Sequence, residues 1–115
     1  MLIIRTEQFQ ELEETVIKQA NLRMVKYAKS RFHHKLKDVS DKKLITFIEG
    51  VRVDAKSHGI VNENDVATAV DLTIMYEKDF YHTFWAKDIF SINKLSGEEK
   101  MQILRKRISV VVPQL

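Results

Sequence analysis

The chain has 115 residues, with 19 Lys plus Arg against 16 Asp plus Glu and a net charge of +3. Hydrophobic residues make up 44% and charged residues 30%, which excludes a disordered chain as the expectation, because enough apolar side chain is present to offset chain entropy. With no Cys, disulfides, thiolate metal sites and a Cys nucleophile are ruled out together, and three Gly with one Pro are too few for a turn-rich β fold.

The opening Met1 to Ile4 is apolar but short, and Arg5 follows it. That is too little for a signal peptide or a membrane span, so a soluble, cytoplasmic domain is expected. Phe9, Leu12, Val16, Ala20, Met24 and Tyr27 then recur at spacings of three and four, the trace of one helical face. Thr6 can cap this helix. Glu7, Glu11, Glu13 and Glu14 lie near its positive end and Lys26, Lys29 and Arg31 near its negative end, so a helix over about Glu7 to Arg31 is predicted.

Ser40 and Asp41 offer the next cap, followed by Leu44, Ile48, Val51 and Ala55. Gly59 stands where a left-handed residue closes a helix, with Ile60 as its apolar partner, which predicts a helix over about Lys42 to His58 ending in a Schellman motif. Gly50 inside it is expected to mark close helix packing. Asn62 opens a third helix with Asp65 in the position of a capping-box acid. Its rows, Val66–Val70–Thr73–Glu77 and Ala69–Leu72–Tyr76, with Ile74 and Met75, leave it apolar over a wide arc and place it centrally in the core.

Five of the ten aromatic residues fall between Asp79 and Phe90: Phe80, Tyr81, Phe84, Trp85 and Phe90. Trp85, Ala86, Ile89 and Phe90 suit a short helix. One short helix buries only part of its girth, so Trp85 and Phe90 are expected inward and Tyr81 or Phe84 outward. Ser96-Gly97-Glu98-Glu99 is a capping box opening a last helix to about Ile108, with Met101, Leu104 and Ile108 inward. Ser109 to Leu115 is a β-prone tail containing Pro113. The reading is all-α: one domain over residues 1–115, a compact bundle of four to five helices with a short apolar N-terminal segment and an extended C-terminal tail. Leu12, Val16, Ile48, Val70, Leu72 and Leu104 are expected to be buried.

Chemistry is sparse. His33 and His34 are adjacent, with His58 and His82 apart, a pattern that suits a solvated turn better than a metal site, so no metal or cofactor is expected. Asp71 sits in an apolar helix without a second carboxylate or His on its face, which favours a structural partner over acid–base catalysis. No Gly-rich phosphate loop, no Gly-x-Ser-x-Gly and no joined triad occurs, so no enzyme is expected. Charge, in contrast, is uneven: residues 18–43 carry nine Lys or Arg and two Asp or Glu, while residues 44–79 carry three and seven. Arg23, Lys26 and Arg31 form the heart of the basic stripe and are candidates, with Tyr81 and Phe84, for contacting a protein partner. A nucleic-acid-binding regulator using residues 18–43 is the reading from another class, and the mild overall charge disfavours it.

The order Ile3-Ile4-Arg5, Glu7-Gln8, Arg23-Met24, Phe32, Gly50 to Ala55, His58-Gly59-Ile60, Glu63-x-Asp65-Val66, Asp71-Leu72, Asp79-Phe80, Trp85-Ala86 with Ile89, and Met101 with Leu104 resembles a group of short all-helical proteins. These accessory proteins, of unassigned activity, are encoded beside type VI secretion effectors and spike components in Gram-negative bacteria. This chain has Phe84 where that group has a Pro before the Trp, and His33-His34 where it has a Pro-containing turn. The resemblance implies an adaptor or chaperone holding a secreted effector or spike component. An immunity protein occluding a toxin is the alternative within the same setting.

Overall fold

The structure, a computed structural model, describes residues 6–76 and 80–111, with side chains over 14–76 and 80–108. The described residues form helices α1 (Thr6–Arg31), α2 (His33–Leu36), α3 (Asp41–Ser57), α4 (Glu63–Tyr76), α5 (Lys87–Phe90) and α6 (Gly97–Val111), with a 3-10 turn at Phe80–His82 and no strand. The protein is all-α, as its sparse Gly and Pro predict. The N-terminal apolar segment, the side chains of Thr6, Phe9 and Leu12, residues 77–79 and residues 112–115 lie outside the described set. The backbone of Ser109 to Val111 continues α6 instead of starting an extended tail. β-branching at Val110 and Val111 lowers helix propensity only slightly, and the first residue that cannot continue a helix is Pro113.

The chain divides into two compact units, Met1–Glu49 and Gly50–Leu115, with the division inside α3. In the first unit α1 packs on α2. The His33-His34 connection is therefore a one-turn helix, entered through Phe32 N–H donating to Ala28 C=O at 2.8 Å. Ser40 caps α3 as predicted, its Oγ accepting the Lys43 N–H at 3.2 Å, and Lys29 Nζ pairs with Asp41 at 2.5 Å. Among the described residues of this unit the buried side chains are Ala20, Asn21, Val25, Ala28, Leu36, Leu44 and Ile48. Val16 and Tyr27, read above as part of the inward row, are 60% and 50% exposed. At about 100° per residue they sit some 20–40° beyond the edge that Ala20 marks, and the buried arc turns instead toward Asn21, Val25 and Ala28.

The second unit is built on backbone geometry that the sequence announces. Ile60 N–H donates to Ala55 C=O at 2.9 Å and Gly59 N–H to Lys56 C=O at 3.0 Å, the two bonds of a Schellman motif, with Gly59 at φ 78°. Asn62 Oδ1 accepts the Asn64 N–H at 2.9 Å and caps α4. Ser96 and Glu99 exchange two bonds of 3.1 Å each and cap α6, and they hold the Glu99 carboxyl below its usual range. Gly97, the first residue of α6, is buried directly against the Gly59 carbonyl and Ile60 N. Gly50 is the reverse: it is exposed and a Cβ there would meet nothing within 4 Å, so the close packing expected at this glycine is absent. Buried Val66, Ala69, Val70, Leu72 and Ile74 confirm α4 as apolar over most of its girth, and Met101, Leu104 and Ile108 line the buried side of α6. No described helix is long and apolar enough to cross a membrane.

Candidate functional site

The aromatic segment is three short pieces, not one helix: a 3-10 turn, a four-residue turn and α5. Phe80 is fully buried, stacked on Tyr81 at 4.1 Å and parallel to Trp85 at 6.4 Å. Tyr81 is 5% exposed, so of the two residues read as alternatives for the outward position, Tyr81 or Phe84, it is not the outward one, and this corrects it as a partner-contacting candidate. Its ring stacks on His58 at 3.8 Å and meets Phe90 edge-on at 4.8 Å. The outward expectation assumed one helix with one buried side. A 3-10 turn and the platform offered by His58, remote in sequence, allow two successive rings to point inward. Trp85 is buried as expected, against Tyr76 at 5.2 Å, and Phe90 is half-buried.

Phe84 is the exception, at 83% exposed. Its turn is closed at both ends. Thr83 Oγ1 donates to Phe80 C=O at 2.7 Å, and Thr83 C=O accepts the N–H groups of Ala86 at 3.1 Å and Lys87 at 2.8 Å. Trp85 and Ala86, next in the chain, are buried. From α6, Arg107 Nη1 donates to Trp85 C=O at 3.1 Å and to Asp88 Oδ1 at 2.6 Å. That guanidinium holds the Asp88 carboxyl below its ordinary range. The ring is thus held outward by a braced backbone and not left out by a loose one.

In the first unit, Arg23, Lys26 and Arg31 are all exposed on α1. Neither Arg23 nor Lys26 forms an ion pair among the described residues, whereas Lys29 is engaged by Asp41. Arg31 Nη1 donates to Tyr27 Oη at 3.1 Å, and its guanidinium lies 5.7 Å from the Phe32 ring centre. Tyr27 and Val16 belong to this surface although apolar periodicity alone places them in the core; the signal that finds Tyr27 is the i, i+4, i+8 series Arg23–Tyr27–Arg31. The structure places Arg23, Lys26 and Arg31 on one helix of the first unit and Phe84 in the second.

Two acidic groups are buried in α4. Asp71 is one. Asp65 is the other, and instead of closing a capping box it accepts from Arg105 Nη2 at 2.6 Å, a guanidinium nitrogen that also reaches Thr68 Oγ1 at 3.0 Å and Asn64 C=O at 3.3 Å. This cluster ties α6 to the first turn of α4. His33 and His34 are exposed, their rings edge-to-face at 5.5 Å. No group of three or more His, Cys, Asp or Glu among the described residues could hold a metal ion. No protein-family model, curated protein or solved structure matches the chain.

Proposed function

We propose that the chain is a non-catalytic protein-binding module whose anchor is the ring of Phe84. One observation carries this reading: an 83% exposed phenylalanine on a turn fixed by Thr83, Trp85, Ala86 and Arg107. A ring on a loose loop would fold back onto apolar surface. A ring on a braced turn keeps its contact area for a partner and loses little conformational freedom when it docks. Burying it in a partner's apolar pocket contributes about 1.5–3 kcal/mol. The resemblance described above adds the setting: an adaptor or chaperone that holds a type VI secretion effector or spike component.

The test is co-purification of the tagged full chain with the products of the neighbouring genes, wild type against Phe84→Ala. The expected result is binding weaker by about ten-fold or more with an unchanged melting temperature. Tyr81→Ala should do the opposite to stability, costing about 3 kcal/mol or more. Equal binding by Phe84→Ala would remove the anchor. A partner toxin that stays active in the complex fits an adaptor; one that is silenced fits an immunity protein.

A further inference from the structure

The exposed side of α1 carries four residues in one narrow strip. Val16, Arg23 and Tyr27 fall within an arc of about 40° at helical periodicity, and Arg31, the last residue of α1, lies about 40° further round, past buried Ala20; all four are exposed. Lys26 lies about 60° beyond the Arg23 edge of the strip and is exposed too. From Arg23 to Arg31 the strip rises about 12 Å, with Tyr27 midway between the two arginines along the helix. Arg31 Nη1 is bonded to Tyr27 Oη, which fixes the ring and the charge relative to each other.

Arg and Tyr are the residue types that concentrate binding energy at protein interfaces, whereas Lys is not. A row repeating at i, i+4 and i+8 on one helix is matched by a row at the same repeat on another, ridge into groove. Charge sets the sign of the match, since residues 18–43 hold nine basic against two acidic residues. The apolar members decide the class of partner: a phosphate backbone makes no use of an exposed Val16 or of the apolar face of the Tyr27 ring, whereas an amphipathic helix uses both.

We propose that the Val16–Arg23–Tyr27–Arg31 strip of α1 docks an amphipathic helix of a protein partner that carries two carboxylates seven or eight residues apart with an apolar residue between them. The carboxylates would meet Arg23 and Arg31, and the apolar side chain would lie on the Tyr27 ring. This proposal rests on residues of the first unit alone and does not depend on Phe84.

The experiment is selection from a displayed library of single helices, randomised among Glu, Lys, Ala, Leu and Phe, against the full chain. Wild type and Phe84→Ala should both enrich helices with the acid–apolar–acid spacing. The double variant R23E/R31E should enrich none of them while keeping the wild-type circular dichroism and melting temperature. Tyr27→Ala should bind the selected helices about ten-fold more weakly. The proposal is overturned if no helix is enriched, or if enriched helices are acidic without that spacing. It is equally overturned if R23E/R31E binds them as well as wild type does, or if wild type binds random duplex DNA more tightly than the best helix.

Discussion

Gly97→Ala reverses the ordinary expectation for a glycine at the start of a helix. Propensity alone favours Ala there by up to about 1 kcal/mol. In this protein a Cβ at residue 97 would overlap the carbonyl carbon and oxygen of Gly59 and lie 2.8 Å from Ile60 N. These are backbone atoms, so no rotamer change relieves the overlap. Gly59 cannot easily yield either, because φ 78° and the two Schellman bonds hold it. Relief requires the first turn of α6 to move away, which also disturbs the Ser96–Glu99 exchange. Overpacking of this kind costs up to about 3 kcal/mol and a lost cap about 1 more. Less the propensity gain, the net is about 3 kcal/mol, or a fall of about 12 °C in melting temperature. Gly50→Ala is the matched control: an exposed helical glycine with open space beside it should gain about 0.5–1 kcal/mol on the same change. Thermal and guanidinium unfolding followed by far-ultraviolet circular dichroism measure both. A Gly97→Ala protein as stable as wild type would refute the Gly59–Gly97 contact as a constraint.

Arg105→Ala leaves the buried Asp65 carboxylate without its guanidinium and should cost about 2–3 kcal/mol by denaturant unfolding, below the full buried-pair figure because Arg105 is 40% exposed. Val70→Ala should cost about 1–3 kcal/mol in the same assay through lost burial and the cavity left behind. The Asp88 and Glu99 carboxyls are both lowered, by Arg107 and by Ser96, so their stabilising effect is complete above the ordinary carboxylate range, near pH 4–5, and is lost as pH falls through the lowered values. Carbon-13 carboxyl titration should find both below that range, and Arg107→Ala should return Asp88 to it while leaving Glu99 in place.

Where local chemistry decides structure, the residues announce it. Ser40, Asn62 and Ser96 cap as their side chains require, Gly59 takes the left-handed turn, and Met101, Leu104 and Ile108 face inward at helical spacing. Illegible were the features set by partners distant in the chain. Tyr81 is inward because His58 offers its ring a surface. Asp65 leaves its local capping role because Arg105, forty residues on, outcompetes a backbone N–H. Gly97 looks like a variable position of a capping box, and its need for glycine appears only when Gly59 is beside it. On α1 the apolar spacing was regular, yet the buried arc lies slightly round the helix, so Val16 and Tyr27 exchanged core for surface. Of the proposed partner-facing residues, Phe84 and the α1 basic residues are outward as read, while Tyr81 is not.

Helix α3 belongs to both compact units, with Ile48 buried before the division and Val51 and Ala55 after it. Amide hydrogen exchange in a shared helix follows the opening of whichever unit holds each turn, not the helix as a whole. Protection along α3 should therefore step in magnitude near Gly50 while the helix itself stays continuous. The same spiral of hydrogen bonds then reports two separate opening equilibria. A ligand that slows exchange at Leu44 and Ile48 but not at Ala55, whose N–H donates to the Val51 carbonyl beyond the division, has been bound by the first unit, and the opposite pattern identifies the second.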